Sequence, residues 1–157
     1  MKTMPTKKEI IDELVKKLTK TLNSTIEQAN VASDAAIDAP GRNESRYDST
    51  KEEMGYLSNA LSKKARDIQN TIKELLNFSL PEKTETIALG SLVEVYMDNK
   101  QQLIFLIPVG GGQKFEVGNT SIFVVSKQAP LYSILLGRKK NQEISFNGKT
   151  IKIKNIE

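Results

Sequence analysis

The residues of this chain best suited to chemistry are the acids between Asp38 and Glu53. Asp38, Glu44, Asp48, Glu52 and Glu53 surround a Pro40-Gly41 pair, and only Arg42, Arg46 and Lys51 oppose them. Proline cannot continue a helix and glycine tolerates the angles of a tight reversal, so the pair marks a turn. The sequence has no histidine and no cysteine. That removes the usual general base, the commonest zinc ligand, thiolate metal sites and disulfides. Carboxylates, hydroxyls and lysines remain, and a self-contained active site is not expected from them. Carboxylates at the end of a projecting rod suit a different task, which is their delivery to another place.

The rod is legible on both sides of the turn. Ile11, Leu14 or Val15, Leu18, Leu22, Ile26, Ala29, Ala32 and Ala36 recur at helical spacing, predicting a first helix of roughly 30 residues, or ~45 Å. Thr6-Lys7-Lys8-Glu9 has the capping-box pattern at its start. Small side chains in NSTIEQANVASDAA would let a partner helix approach closely. Met54, Leu57, Leu61, Ala65, Ile68, Ile72 and Leu75 follow a near-heptad rhythm, predicting a second helix from near Ser45 to before Pro81. Two such helices joined by a short turn fold back on each other. Residues 1–80 are therefore expected to form an antiparallel coiled-coil hairpin with an acidic tip near 38–48. A hairpin this long is marginal unless its base is anchored, and Phe78 and Leu80 are the expected anchors. A single helical bundle is disfavoured because nothing later in the chain supplies further helices.

After Pro81 the pattern changes to period two with β-branched residues. IALGSLVEVYMD, QQLIFLIPV, KFEVG and SIFVVS read as strands, with a turn near Asn99. Gly110-Gly111-Gly112 reads as a plain turn, since no strand-to-helix context follows as a phosphate loop requires. APLYSILLGRKKN holds a short helix from Pro130 to Leu136, closed near Gly137. EISFNGKTIKIKNI is a hairpin turning at Asn147-Gly148, a strong type I′ signal. Residues 84–157 are thus expected to form a small antiparallel β-sheet with one helix packed on it, giving an α+β fold overall.

A chain of 157 residues suits one domain or two small units. No stretch approaches the ~18 apolar residues of a membrane span, and MKTMPTKKEIIDELVKK has no apolar signal-peptide core. Cytoplasm is the expected location and a monomer the simplest state. The formal charge of +4 fits contact with nucleic acid or an acidic protein, and fits solubility equally well.

With both halves placed, the chain resembles the Gre family of bacterial transcription elongation factors over nearly its full length. The family's return helix opens with a sequence of the type ENAEYHAAKEEQGFLEGRI. Here NESRYDSTKEEMGYLSNAL carries Tyr47, Lys51, Glu52, Glu53, Gly55 and Leu57 at matching spacing, with Tyr56 in the aromatic position. A family pattern like SPLGRALLGKKVGDEV is matched by Ala129-Pro130-Leu131, Leu135-Leu136-Gly137-Arg138-Lys139-Lys140 and Glu143-Ile144. IALGSLVEV matches the opening of the family's C-terminal domain. The resemblance implies an FKBP-like C-terminal domain that docks on RNA polymerase near the rim of its secondary channel. It implies that the hairpin enters the channel, where tip carboxylates help hold a second magnesium ion of the polymerase active centre and a water that hydrolyses backtracked RNA. The chain would bind no cofactor of its own, would not itself be an enzyme, and would meet RNA and DNA only indirectly, within the elongation complex. Two cations suit phosphodiester hydrolysis, and magnesium prefers carboxylate and water oxygens to a full protein cage.

The tip departs from the family. Cleavage-competent members present acids three residues apart, in a stretch like GDLSEN. Counting back from Tyr47, those positions fall on Pro40 and Asn43. Glu44 and then Asp38 are the expected catalytic and magnesium-sharing carboxylates, although Asp38 also fits a plain helix end and Glu44 a first helical turn, where acid suits the macrodipole. Glu52 and Glu53 read as solvated. Tyr47, Pro130, Arg138, Lys139 and Lys140 are the expected polymerase-binding residues; for the three cations a solvated turn is an equal alternative. Lys7-Lys8 and Lys16-Lys17 fit a wet helix face better than nucleic-acid contact. Phe105, Phe115, Phe123 and Phe146 read as core rather than as an FKBP-type proline pocket. Three functions stay open: a cleavage-stimulating factor, a homologue that modulates or inhibits polymerase through the same channel, and an FKBP-like binding or chaperone module.

Overall fold

The computed structural model describes the backbone of residues 5–38, 45–117 and 120–157, and the side chains of 5–35, 55–117 and 120–157. Helix α1 runs Lys7–Asp38 and helix α2 Ser45–Asn77. The predicted capping box forms in full. The Glu9 amide donates to Thr6 Oγ1 and the Thr6 amide to Glu9 Oε2, both at 3.2 Å. Two amides left without partners by helix geometry are thereby satisfied.

The seam between the helices is thin and small-sided. Leu18, Thr25, Ala29 and Ala32 of α1 and Ala65 of α2 are buried, and the Ser58 hydroxyl donates to the Ala29 carbonyl at 3.3 Å. Two seam assignments from the sequence are corrected. Ile26 is 37% and Leu57 47% exposed, because the heptad positions belong to Thr25 and Ser58, one residue round each helix. Burying Thr25 is inexpensive, as its hydroxyl donates to the Thr21 carbonyl at 2.8 Å. Leu57 instead lines a shallow groove with Val31, Ala35 and Leu61.

The chain divides into two compact units, Val15–Lys73 and a second that joins Met1–Leu14 to Glu74–Glu157. The division runs through both helices, and the helix bases are grouped with the sheet. Six strands, β1 Leu92–Met97, β2 Lys100–Leu106, β3 Lys114–Val117, β4 Thr120–Val125, β5 Glu143–Phe146 and β6 Lys149–Ile156, form one sheet. Helix α3 spans Pro130–Leu135 between β4 and β5, and the strand order is β3-β4-β2-β1-β6-β5. Every pair is antiparallel except β2 with β4, which is parallel. A parallel pair needs a crossover, and the stretch from Ile107 to β4, including β3, supplies it. Two reversals use left-handed residues as expected: Asp98 and Asn99 (φ 55° and 60°), and Asn147 and Gly148 (φ 51° and 75°).

Both faces of the sheet are covered. On one, Val93, Val95, Ile104, Leu106, Val125, Ile144, Ile151, Ile153 and Ile156 form a core with Ile87 and with Leu131, Tyr132 and Leu135 of α3. Strand alternation puts Leu92, Leu103, Phe105, Ile122 and Val124 on the opposite face, and they too are fully buried. Ile10, Ile11, Leu14 and Leu75 of the helix bases are buried in the same unit; a face so buried needs apolar cover, which the helix bases can supply. Leu80, expected as an anchor, is exposed, since the helix has ended and the chain is crossing the surface. Phe78 does lie inward, close to Gly90, which adopts φ +90° and whose missing Cβ would fall 2.4 Å from Pro81 Cδ and Cγ. Gly111 has a similar duty: a Cβ there would meet Ser126 N at 2.4 Å, whereas one at Gly112 would meet nothing within 4 Å. Among the described residues no helix is long and apolar enough to cross a membrane.

Candidate docking surface

The sequence singled out two regions, the hairpin end and the neighbourhood of α3. Asp38 closes α1, and Tyr47 lies in the first turn of α2. Their side chains, and all of Glu44, lie outside the described residues. Among the described residues no group of three His, Cys, Asp or Glu can hold a metal ion.

Around α3 the backbone is tightly tied. Pro130 begins the helix at a position where its missing N–H costs nothing, and Leu131, Tyr132 and Leu135 pin it to the core. Burial pushes the Tyr132 phenol above its ordinary pKa. At the other end Leu136 keeps its amide on the Tyr132 carbonyl at 3.0 Å, Gly137 donates to the Ile87 carbonyl at 2.7 Å, and Ile87 donates to the Arg138 carbonyl at 2.8 Å. Lys139 forms a bridge with Thr86, and its amide donates to Gln142 Oε1 at 2.8 Å. Arg138, Lys139 and Lys140 therefore emerge together, all exposed, from a fixed turn. Pro130 is set apart from them by the length of α3, ~9 Å.

The cations are not equivalent. Arg138 Nε donates to the Ile134 carbonyl at 3.0 Å, closing the last turn of α3, where positive charge is favourable. Lys139 and Lys140 have no ion-pair partner among the described residues. The segment 127–142 contains Lys127, Arg138, Lys139 and Lys140 and no acid. Elsewhere, Lys7 is half-buried and its pKa is lowered by that burial, with Glu157 partly opposing the shift.

The phenylalanines divide. Phe105 is fully buried, but Phe123 and Phe146 line an open cleft of about 260 Å³ with Met97, Ile104 and Leu131. Lys114, Asn147 and Lys149 also border it, and Lys149 is held by Asp98 at 2.7 Å. Phe123 and Phe146 pack against the core as expected, and each also presents an edge to this cleft beside Leu131 of α3. Sequence reasoning also missed Leu136, 48% exposed. Its signal was its place just before Gly137, where the helix closes: Leu136 is the cap residue, already out of the helical conformation.

No family model and no curated protein matches the chain. Among solved structures, it is similar to the crystal structure of GreA factor homolog 1 (Gfh1) of Thermus thermophilus, at 15% identity and a TM-score of 0.36, covering 91% of this chain and 94% of that one. Gfh1 of Thermus aquaticus gives 18% identity and 0.35, covering 90% and 92%. A further structure of the transcription factor Gfh1 gives 16% and 0.37, covering 93% and 92%. Superpositions this loose leave the chain's own residues and element order to carry any functional conclusion.

Proposed function

We propose that this chain is a Gre-type accessory factor of bacterial RNA polymerase, whose sheet unit docks at the rim of the secondary channel while the hairpin enters it. The observation that carries this is the register of three motifs on the elements they need. Tyr47, Lys51, Glu52, Glu53, Gly55 and Leu57 lie on α2, the return helix of a hairpin. Ile87 to Val95 opens the sheet, and Pro130 to Lys140 spans α3 and the basic turn after it. On this reading Tyr47, Pro130, Arg138, Lys139 and Lys140 contact polymerase. Glu44 and Asp38 offer carboxylate oxygens to a magnesium ion that the polymerase completes. That ion would polarise a phosphate oxygen or activate water; the chain's own part is to position one or two carboxylates.

Pro40 and Asn43, where cleavage-competent relatives carry acids, favour a second outcome of the same docking: channel occupancy that modulates polymerase without cleavage. The open cleft at Phe123 and Phe146 favours a third reading, an FKBP-like protein-binding module. One experiment separates them. Backtracked elongation complexes of the cognate polymerase are incubated with wild type, Glu44→Ala and Asp38→Ala in the presence of magnesium. Shortened RNA 3′ ends, lost in the variants, identify a cleavage factor. Competition with an authentic Gre factor without cleavage identifies a regulator. Neither effect refutes polymerase binding and leaves the binding module.

A further inference from the structure

We propose that Leu136 is the apolar anchor of a docking patch for an acidic protein surface, with Lys139 and Lys140 as its charged rim. The polymerase reading above supplies only the identity of the partner. A single exposed leucine is ordinary on a protein surface, and three features set this one apart. Its neighbour Leu135 is fully buried while Leu136 is 48% exposed, so the two divide inward and outward roles. The backbone fixes that division: Leu136 leaves the helical region (φ −56°, ψ 128°) with its amide held by Tyr132. The next two residues are tied to Ile87 and Leu135, Gly137 donating to the Ile87 carbonyl at 2.7 Å and Arg138 to the Leu135 carbonyl at 3.0 Å. Leu136 cannot turn inward without breaking these bonds, so little ordering cost remains when a partner covers it.

The surroundings define the partner. Arg138 spends its Nε on the Ile134 carbonyl, leaving Lys139 and Lys140 to face outward without ion pairs among the described residues. Glu85, beside the bridging Thr86, and Glu143, next to the Gln142 that accepts from the Lys139 amide, are the exposed acids nearest in the chain and the pairing, and they offset only part of the charge of Arg138, Lys139 and Lys140. An exposed leucine three and four residues before two exposed lysines, on one backbone-tied turn, matches a protein socket edged by carboxylates. Anchors of this kind govern dissociation, whereas rim charges govern encounter rate and salt dependence. A phosphate backbone would use the lysines and gain nothing from the neighbouring leucine.

The test is binding of the full chain to cognate core polymerase by biolayer interferometry at two salt concentrations. Leu136→Ala and Leu136→Gln are expected to raise the dissociation rate about tenfold at both salts, while Leu76→Ala, another exposed leucine, leaves it unchanged. Lys139→Glu combined with Lys140→Glu is expected to slow association strongly at low salt and weakly at high salt. Wild type that binds no better than Leu136→Ala and Leu136→Gln overturns the anchor alone. Wild type that does not bind refutes the polymerase reading and this assignment with it. Competition by single-stranded nucleic acid that is indifferent to Leu136 makes the patch a nucleic-acid contact and overturns the proposal.

Discussion

Leu75 and Leu76 are sequence neighbours at the base of α2 with opposite surroundings, 1% and 62% exposed respectively. Truncating Leu75 to alanine removes three buried carbons, a transfer loss of about 2.4 kcal/mol at ~0.8 kcal/mol per carbon. The cavity left beneath α2 adds to this, and the combined cost of a buried Leu→Ala falls in the range of about 2–5 kcal/mol. The same truncation at Leu76 removes carbons already mostly in water, so at most ~1 kcal/mol is at stake. Alanine is also at least as good a helix former as leucine, so the two variants differ in packing and not in propensity. Urea unfolding followed by far-ultraviolet circular dichroism should show the Leu75→Ala midpoint well below wild type and Leu76→Ala close to it. Equal midpoints for the two variants would refute the argument that the helix bases cover the second face of the sheet.

Gly111→Ala should destabilise by about 1–3 kcal/mol, because its Cβ would meet Ser126 N at 2.4 Å and Oγ at 2.6 Å; thermal melts test this. Thr6→Ala should cost about 1 kcal/mol through loss of the reciprocal cap, read as earlier hydrogen exchange in the first turn of α1. Burial raises the Tyr132 pKa, so this group's contribution to stability is complete below the unfolded value of about 10 and is lost as pH rises through the folded one. In an ultraviolet pH titration, Tyr132→Phe should remove a phenolate that appears above the ordinary tyrosine range of about 10.

Much of the architecture could be read before any coordinates. The Thr6 to Glu9 box, the α2 start near Ser45 and the Asn147-Gly148 reversal depend on neighbours within a few residues, and local chemistry settles them. The misses depended on partners far along the chain. Ile26 and Leu57 look like seam residues until the other helix shows that Thr25 and Ser58 are small enough for close approach. The parallel β2–β4 pair is invisible to alternation, since period two does not say which neighbour a strand takes. Around α3 the sequence located the basic turn, but the different duties of Arg138 and the two lysines came from a side-chain bond to the Ile134 carbonyl. That Phe123 and Phe146 pack on the core and also edge a cleft depends on residues far along the chain, Met97 and Leu131 among them, which spacing does not encode.

The unit that joins Met1–Leu14 to Glu74–Glu157 has a consequence for how the chain is made and how it can vary. It is a discontinuous domain, and Val15–Lys73 is an insertion between its parts. During synthesis Ile10 and Leu14 emerge early, yet the sheet face they cover arrives only after the whole insertion. Helix pairing within the insertion brings Leu14 and Glu74 together locally, relieving much of the loop-closure entropy that so long an excursion would otherwise impose. Because the ends of the insertion meet wherever α1 and α2 pair, removing seven residues from each helix would shorten the helix pair by about 10 Å without touching the sheet unit. Reach and fold are thus separately adjustable in this chain.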